Sequence, residues 1–485
     1  MKSTISFVFF LLLFTLHAAS AEPTEFEAIR KKIQAKLIQQ QIPSLAVAVA
    51  RDGKIIWEEG FGWADRENRV PATQHMMYSL ASISKPITAT GLMILAERGK
   101  VSLDKPVNPY LGDAKVVAHV GNVDEATLRR LANHSSGLPL HYQFFYADEP
   151  YRRPSMDESI RRYGHLMTKP GERYQYANFG YGILDYVIQR TSAVSYAEFM
   201  RREVFLPLGM THTSVDIGHG LEKHQAIRYA PNQAPLPFYD IDHPGASAVF
   251  SSAHDLVRFG MFHLKNHLDD QKAILTDKSI EEMHRPTFDS GGGRSYGVGW
   301  SINPNELGQH TLSHSGGMGG VRTRLTLLPK KNIAIVALCN FSSNLPMEIT
   351  RDIITKLTDG QEKTTDSAKS TPSDDNPTGH WTGQVETYRG NRGIEMWFQP
   401  SGDIHVRLDN QLIALVNQPK FESGALRGVF VGNIGTPDAN RRPYHLHLDL
   451  KLRGEVLNGA LCAISLPGPR AGNALSYWVE VRKKN

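Results

Sequence analysis

Cysteine is scarce in this sequence, since only Cys339 and Cys462 occur in 485 residues. A fold held together by a dense disulfide framework is therefore excluded. Both cysteines lie in apolar runs, "IAIVALC" and "ALCAIS", which are far apart in the chain. An exported protein could oxidise them, but we favour two buried thiols, because a free cysteine packs as a small apolar residue.

The chain also lacks a strong excess of charge of either sign. Its formal net charge is +5, from 54 Lys and Arg against 49 Asp and Glu, and the cations are scattered except in the terminal "VRKKN". Proteins that bind nucleic acid usually concentrate basic residues on one face or in one segment. The sequence therefore predicts no nucleic-acid partner.

Long apolar runs are missing after the N-terminus, so no segment reaches the roughly 18 to 20 residues of a membrane helix, and we predict no transmembrane anchor. The N-terminus itself has a cation at Lys2, an apolar stretch over residues 7–16 and the small residues Ala19-Ser20-Ala21. This order is typical of a secretory signal. We predict a signal peptide over residues 1–21, cut after Ala21, and a secreted or periplasmic protein.

The length of 485 residues exceeds what one hydrophobic core usually supports, which predicts two domains. Residues 22–360 begin with a helical pattern and continue with a hairpin that turns at Asp52-Gly53. Helical patterns follow, and strand patterns return at "YGVGWSI", "HTLSHSGG", "VRTRLTLLP" and "NIAIVALCN", before a helix near residues 347–357. This order predicts an α+β domain whose sheet is assembled from distant segments.

A change of composition over residues 361–378 predicts a linker, because the segment is rich in charged and small polar residues. Residues 379–485 then alternate apolar and polar side chains in "DIHVRLD", "YHLHLDLKLRG" and "SYWVEV". Period-two alternation without a helical segment favours an antiparallel β-barrel or sandwich with one polar face.

The stretch "ASISKPITATGLM" places Ser82 three residues before Lys85, at the start of an apolar helix. Residues at this spacing share one helix face. A serine hydroxyl becomes a good nucleophile when a base takes its proton, and a lysine is such a base when burial lowers its pKa. The pair therefore indicates acyl transfer, although S-x-x-K by itself is a weak signal. We interpret Ser79 and Ser84, which lack this lysine, as structural.

Two later stretches strengthen the interpretation. "YQYANFGYGILDYVI" contains Tyr176 and Asn178, and a tyrosine close to a lysine cation can lose its proton more easily. "HTLSHSGGMGG" contains His314 followed by Ser315, Gly316 and Gly317. Consecutive glycines on a strand leave backbone N–H groups open to a substrate carbonyl and its oxyanion.

In this order the three segments resemble the S-x-x-K, Y-x-N and K-T-G or H-x-G motifs of the serine β-lactamase and penicillin-binding-protein superfamily. The resemblance is nearest to the D-aminopeptidases and carboxylesterases related to class C β-lactamases. Similar supporting stretches are "LANHSSGLP", "PLGMTHTS", "SSAHDLVRF" and "YGVGW". The resemblance covers about residues 26–357 and implies a β-lactamase/transpeptidase-like fold, with an antiparallel sheet flanked by helices and an all-helical part.

The resemblance implies a catalytic trio in which Ser82 is the nucleophile, Lys85 its proton acceptor and Tyr176 the partner in proton transfer. It leaves open whether Lys85 or Tyr176 is the base in each half-reaction. It also implies an oxyanion hole of two backbone N–H groups, from Ser82 and Gly317, and no metal or cofactor. The implied substrate-binding residues are Asn178, which would hold the substrate amide, together with His314, Ser315, Gly316 and Gly317.

One departure bears on the substrate. His314 stands where β-lactamases carry a lysine that helps to hold a substrate carboxylate, and histidine is mostly uncharged near neutral pH. The predicted function is therefore an exported serine hydrolase acting on a D-amino-acid peptide or amide, or on a carboxylic ester. The alternatives are a class C-like β-lactamase or penicillin-binding protein, and a non-catalytic ligand-binding or cell-wall-binding module. A small molecule or peptide is the expected partner, and the oligomeric state is left open.

Several smaller features carry their own interpretations. "GHWTGQV" followed by antiparallel strands resembles the lipocalin-like barrels attached to some D-aminopeptidase relatives, where a barrel loop can limit substrate length.

We interpret His445, His447 and Asp449 as a solvated strand face rather than a zinc site. The triplet at His243 is interpreted as a false H-x-G motif, since Pro244 lacks an N–H. The aromatic residues of the loop 141–154 either line an apolar pocket or pack under the loop.

Overall fold

The computed structural model describes residues 24–358 and 377–484. The predicted signal peptide, 1–21, and most of the predicted linker, 361–376, lie outside the described residues. The α-helices of the described part are α1 (Glu27–Gln39), α2 (Ser84–Glu97), α3 (Leu128–Ala132), α4 (Met156–Tyr163), α5 (Asn178–Ser192), α6 (Tyr196–Met200), α7 (Pro244–Ser247), α8 (Ala253–His263), α9 (Asp277–His284) and α10 (Leu345–Thr358).

The strands of the first domain belong to one large sheet and three small ones. They are β1 (Ser44–Arg51), β2 (Lys54–Asp65), β3 (Val70–Pro71), β4 (Tyr78–Ser79), β5 (Val117–Ala118), β6 (Phe144–Tyr146), β7 (His165–Leu166), β8 (Thr213–Val215), β9 (Tyr239–Ile241), β10 (Val249–Ser251), β11 (Phe288–Gly291), β12 (Arg294–Tyr296), β13 (Ser301–Glu306), β14 (Gln309–Met318), β15 (Val321–Leu328) and β16 (Ile333–Cys339).

The large sheet has the order β11-β12-β13-β14-β15-β16-β1-β2-β3, and its neighbouring strands are antiparallel. Strands β1 and β16 pair in its centre although about 290 residues separate them, which confirms a sheet assembled from both ends of the domain. Helices α1 and α10 pack on one face, and α8 and the helical part cover the other. An antiparallel sheet flanked by helices, beside a helical part, is the arrangement predicted from the sequence.

The predicted hairpin is confirmed, because Asp52 and Gly53 turn between β1 and β2 with φ of 51° and 73°. Both values lie in the left-handed region that Asp-Gly turns tolerate. The single strand expected for "YGVGWSI" is wrong. The chain leaves the sheet between β12 and β13, where Gly299 has φ of 88° and a Cβ at this position would lie 2.7 Å from the Cβ of Ala89.

The second domain is a nine-stranded antiparallel sheet that curls into a nearly closed barrel, which decides between the predicted barrel and sandwich. Its order is β20-β19-β18-β17-β25-β24-β23-β22-β21. The strands are β17 (Gly379–Glu386), β18 (Arg392–Phe398), β19 (Ile404–Leu408), β20 (Ala414–Leu415), β21 (Asn417–Glu422), β22 (Ala425–Phe430), β23 (Tyr444–Arg453), β24 (Val456–Ser465) and β25 (Ala474–Lys483). Leucines at alternate positions of β23 fill its core.

The polar face of β23 meets the first domain instead of facing only solvent. Asp449 accepts a 2.6 Å hydrogen bond from Arg173, and Lys451 donates one of 2.6 Å to Glu172. Arg453 lies 3.3 Å from the same Glu172 carboxylate. The two faces of β23 therefore make different contacts. Its leucines pack in the barrel core, and its charged residues contact the neighbouring domain.

Both cysteines are buried and unpaired, Cys339 on β16 and Cys462 on β24. The two thiols thus belong to different sheets, as their separate apolar runs suggested. Within residues 24–358 and 377–484, no helix is both long and apolar enough to cross a membrane.

Candidate active site

Ser82 lies in a tight turn that leads into α2. A 3₁₀ turn, Ala81–Ile83, precedes the helix, and Ala81 has φ of 48°, a left-handed conformation that is strained for a residue with a side chain. The turn is held by its neighbours, since Leu80 donates its N–H to the Val249 carbonyl and its own carbonyl accepts from the Thr323 hydroxyl. Two distant strands therefore hold the backbone that carries Ser82.

Lys85 is buried in the first turn of α2, beneath Ser82. Its Nζ atom lies 3.0 Å from Ser82 Oγ, 2.8 Å from Asn178 Oδ1 and 3.2 Å from the Ala246 carbonyl oxygen. All three are uncharged acceptors, and the side chain is fully buried. Burial therefore holds the pKa of Lys85 well below its ordinary value, which favours the neutral amine.

Tyr176 borders the same space, just before α5. The Lys85 amine lies 4.7 Å from the centre of its ring. Burial raises the pKa of the Tyr176 phenol, and the interaction with the Ser82 hydroxyl offsets only part of that increase. Burial also favours the neutral form of Lys85, so the expectation that a lysine cation eases the loss of the phenol proton stays a prediction.

The third predicted segment lies on β14, whose pairing changes along its length. Strand β13 pairs with β14 only as far as Ser313, so the residues after it are bonded to β15 alone. The freed edge approaches the Ser82 turn closely, because a Cβ at Gly316 would lie 2.1 Å from the Leu80 carbonyl oxygen. A residue without a side chain is required for this contact.

His314 is almost completely buried, at 5% exposure. Its Nδ1 lies 2.9 Å from the Ser315 carbonyl oxygen, which only accepts, so Nδ1 carries the proton. Its Nε2 then accepts a 2.8 Å hydrogen bond from the Tyr296 hydroxyl. Burial is the main cause that lowers the pKa of His314 to about 3, so this imidazole is neutral at physiological pH.

A cavity of about 450 Å³ opens above Ser82. The predicted residues that line it are Ser82, Tyr176, Asn178 and Gly317, whereas Lys85, His314, Ser315 and Gly316 are not among its lining residues. The other lining residues are Tyr142, Phe144, His243, Ser247, Met318, Ser465, Leu466, Pro467, Gly468, Arg470, Ala471, Gly472 and Asn473. The part that each predicted residue takes in binding stays a prediction.

The second domain supplies nearly half of this wall through the loop between β24 and β25, residues 466–473. The loop is tied to the first domain at several points. Asn473 accepts a 2.9 Å hydrogen bond from the Phe144 N–H, and Tyr146 accepts one of 2.8 Å from the Ala471 N–H. Arg470 forms a two-pronged ion pair with Asp148.

These contacts divide the aromatic residues of the loop 141–154 between the two roles that the sequence left open. Tyr142 and Phe144 line the cavity. Tyr146 packs against the barrel loop, and Phe145 lies 4.4 Å beneath the guanidinium of Arg441. A single segment thus forms part of the pocket and part of the domain contact.

Sequence reasoning missed two histidines at the site. His134, within "LANHSSGLP", accepts a hydrogen bond from the Ala177 N–H, and its ring packs at a tilt against the Tyr176 ring with 4.2 Å between the ring centres, so it positions that tyrosine. His243 lines the cavity, although the triplet that contains it is the start of α7 and not a strand motif. The quoted stretch gave a signal for His134, whereas His243 was noticed only in a triplet that was set aside as a false H-x-G motif.

The described residues contain no group of three or more His, Cys, Asp or Glu side chains placed to hold a metal ion. The chemistry that the site offers is nucleophilic. A half-buried hydroxyl, a neutral amine within hydrogen-bond range and a phenol next to both can transfer protons while the hydroxyl attacks a carbonyl.

Comparisons with known proteins agree with this geometry. Protein flp of Staphylococcus aureus strain N315 is 26% identical over 340 residues, which are 68% of this chain and 66% of that protein. Penicillin-binding protein 4* of Bacillus subtilis strain 168 is 28% identical over 303 residues, 58% of this chain and 64% of that protein. The chain therefore spans slightly less than two thirds of the length of these curated relatives.

Among solved structures, the octameric penicillin-binding protein homologue from Pyrococcus abyssi superposes with a TM-score of 0.61 at 23% identity, covering 94% of this chain and 99% of that one. A class C β-lactamase gives a TM-score of 0.61 at 20% identity, covering 72% and 99%. The family model described as Beta-lactamase matches residues 29–359, well over half of the sequence. The chain therefore belongs to the β-lactamase family of serine hydrolases, which includes the penicillin-binding proteins.

Proposed function

We propose that the protein is an exported serine hydrolase that forms an acyl-enzyme at Ser82, with a D-amino-acid peptide or amide, or a carboxylic ester, as its substrate. The observation that carries the proposal is the 3.0 Å contact between Ser82 Oγ and the buried Nζ of Lys85. A buried amine without a carboxylate partner is costly to the fold, and such groups concentrate at catalytic sites.

In the first half-reaction, Ser82 Oγ attacks the substrate carbonyl carbon while Lys85 Nζ takes the hydroxyl proton. Burial keeps Lys85 as an amine and Tyr176 as a phenol, so the amine is the better base and the phenol can pass its proton to the leaving group. The leaving amine or alcohol departs with that proton, and Tyr176 regains one from Lys85. The backbone N–H groups of Ser82 and Gly317 would stabilise the oxyanion.

The neutral state of His314 supports an amide or ester over a substrate that must be held by its carboxylate. An imidazole with both nitrogens engaged, by the Ser315 carbonyl and the Tyr296 hydroxyl, offers no cation to such a group. This is the reason to rank peptidase or esterase activity above efficient β-lactam hydrolysis.

The experiment combines labelling with a substrate panel. The purified protein is treated with a fluorophosphonate and with a fluorescent β-lactam, the modified residue is located by mass spectrometry, and turnover is then compared for p-nitrophenyl esters and for D-alanyl and L-alanyl anilides. We expect fluorophosphonate adducts at Ser82 and a loss of turnover of at least about 10³-fold in Ser82→Ala.

Ser84→Ala is the matched control, because the Ser84 hydroxyl is buried and accepts a hydrogen bond from the Val249 N–H. It should lower the free energy of unfolding by about 1 kcal/mol while Ser82 is still labelled. Unlabelled Ser82, or full turnover in Ser82→Ala, would refute the proposed mechanism. A protein that labels at Ser82 but turns over no ester or anilide would instead support the binding-module alternative.

A further inference from the structure

A buried carboxylate lies between two histidines at the edge of the cavity, and the acylation chemistry does not use it. Asp242 Oδ2 lies 2.6 Å from His141 Nε2, and Asp242 Oδ1 lies 2.5 Å from His243 Nδ1. All three side chains are at most 2% exposed. Asp242 immediately precedes His243, and α7, which follows, carries the Ala246 carbonyl that contacts Lys85.

The hydrogen bonds fix which nitrogen of His243 is basic. Burial raises the pKa of Asp242, but the two histidines outweigh that effect and hold this pKa well below its ordinary value, so the carboxylate is ionised and only accepts. His243 Nδ1 therefore carries a proton and donates it to Asp242. His243 Nε2 makes no hydrogen bond to any described residue, and it is not one of the polar atoms that are both fully buried and unpaired. The His243 ring lines the Ser82 cavity.

The charged and titratable groups that face His243 come from three directions. Asp242 and His141 lie on its Nδ1 side, Lys85 of α2 lies across the cavity wall, and Asp185 of α5 accepts a hydrogen bond from the Gly245 N–H just after it. Burial lowers the pKa of His243, and the contact with Asp242 offsets only part of the effect. Its free nitrogen is therefore an unprotonated base in neutral solution.

We propose that His243 Nε2 is the base that activates the hydrolytic water in the second half-reaction, with Asp242 holding the imidazole in the required tautomer. This inference rests on the proposed acyl-enzyme at Ser82. Lys85 and Tyr176 lie beside Ser82 Oγ. Among the described residues that line the cavity, none is an aspartate, glutamate or lysine and His243 is the only histidine, so its Nε2 is the nitrogen placed to act on a water there.

In the second half-reaction, water hydrolyses the Ser82 ester. A water in the cavity gives a proton to His243 Nε2 while its oxygen bonds to the carbonyl carbon of the Ser82 ester. The resulting tetrahedral oxyanion collapses, the bond from that carbon to Ser82 Oγ breaks, and Oγ takes a proton from the Lys85 or Tyr176 pair. The carboxylic acid product leaves with the second proton of the water, and the proton on His243 replaces the one that the Lys85 and Tyr176 pair gave to Oγ, which restores the starting state of the site.

The test is His243→Asn, because an asparagine amide N–H lies close to where Nδ1 was and can still donate to Asp242, while the basic nitrogen is removed. The burst and steady-state phases of p-nitrophenyl acetate hydrolysis separate acylation from deacylation. We expect deacylation to fall by about 10² to 10⁴-fold and acylation to change by less than about threefold. Mass spectrometry should then detect the acetyl group accumulating on Ser82.

His219→Gln, at an exposed position, is the matched control and should leave both rates unchanged. Equal loss of both rates in His243→Asn, or an unchanged deacylation rate, would overturn the inference while the Ser82 adduct keeps the proposed function intact. Absence of any Ser82 adduct in the wild type would refute the proposed function and this inference together.

Asp242→Asn provides a second variant in case His243→Asn does not fold. An amide N–H in place of one carboxylate oxygen favours a proton on Nε2 of His243, which removes the base without removing the ring. The expected result is again a selective loss of deacylation. Normal deacylation in this variant would overturn the inference.

Discussion

The Nζ atom of Lys85 lies 3.2 Å from the carbonyl oxygen of Ala246, a residue 161 positions further along the chain. Together with Asn178 Oδ1 and Ser82 Oγ, this carbonyl surrounds the amine with uncharged acceptors. An amine in such surroundings is stable as the neutral base and not as a cation. The tertiary fold therefore helps to keep Lys85 basic through the Ala246 carbonyl, which lies outside the S-x-x-K motif.

The stability of the protein should depend on pH through Lys85. Burial lowers the pKa of Lys85 in the folded state, whereas in the unfolded chain it is about 10.5, so the unfolded state binds more protons between these two values. The contribution of Lys85 to the free energy of unfolding therefore rises with pH across this window, by at most about 1.4 kcal/mol per pH unit. Measured by urea denaturation, the free energy of unfolding of the wild type should rise relative to that of Lys85→Met as the pH increases towards about 10.5.

Lys100→Met, at an exposed position, is the control for this comparison, and its difference from the wild type should stay constant over the same range. Lys85→Met should be inactive at every pH. A constant difference between the wild type and Lys85→Met would show that the amine is charged in the folded protein.

Two adjacent glycines on β14 should respond differently to a methyl group. A Cβ at Gly316 would lie 2.1 Å from the Leu80 carbonyl oxygen and 2.2 Å from Thr323 Oγ1, so Gly316→Ala must push β14 away from the Ser82 turn. At Gly317 the nearest atom is the flexible end of Arg322, at 3.0 Å. We expect Gly316→Ala to destabilise the protein by about 2 kcal/mol or more and to suppress Ser82 labelling.

Gly317→Ala should change the free energy of unfolding by less than about 1 kcal/mol, and thermal unfolding compares the two variants directly. A similar loss of stability in both would contradict the close approach of Gly316 to the Ser82 turn.

The barrel loop, residues 466–473, forms part of the cavity wall and should therefore limit the size of the substrate. Replacing residues 467–471 by two glycines removes Arg470 and the Ala471 N–H that donates to Tyr146. We expect kcat/KM for a short p-nitrophenyl ester to change by less than about threefold, and kcat/KM for a long peptide anilide to rise by about tenfold or more.

Shortening the loop 410–413, which does not line the cavity, is the control. The gating role would be disproved if the two loop variants had the same substrate profile. Deleting residues 361–485 is a coarser test, because it also exposes the aromatic residues that the barrel covers.

Attachment of the barrel should weaken in acid through Glu172. Burial raises the pKa of Glu172, but the hydrogen bonds from Lys451 and from the Lys169 N–H, together with the charge of Arg453, outweigh it and lower this pKa to about 2, from an ordinary value of about 4.5. The stabilisation is therefore complete above about pH 4.5 and is lost as pH falls towards 2. Glu172→Gln should cost about 1 kcal/mol at pH 7, measured by urea denaturation.

The difference between the wild type and Glu172→Gln should shrink as pH falls through this window. Glu125→Gln, whose carboxylate is exposed, controls for the loss of one negative charge and should cost less. Equal effects of the two substitutions would mean that the contacts of Glu172 with β23 do not hold the barrel in place.

The amino-acid sequence alone determined the local features of the protein. The Asp52-Gly53 turn, the amphipathic helix α1 and the alternating leucines of β23 follow from backbone preferences and from the period of apolar residues. The same local logic placed Ser82 and Lys85 on one helix face. The motifs in "YQYAN" and "HTLSHSGG" then supplied the family and with it the fold.

The tertiary structure decided what depends on burial and on residues brought together from afar. The neutral states of Lys85 and His314, the phenol form of Tyr176 and the free nitrogen of His243 arise because distant segments exclude water around them. The barrel loop enters the cavity because Asp449 and Lys451 of β23 form ion pairs with the first domain. The alternation of residues along a strand does not show which residues of another domain it will contact. Desolvation acts on groups according to their distance in space, which is why pKa values and pocket walls could not be read from the order of residues.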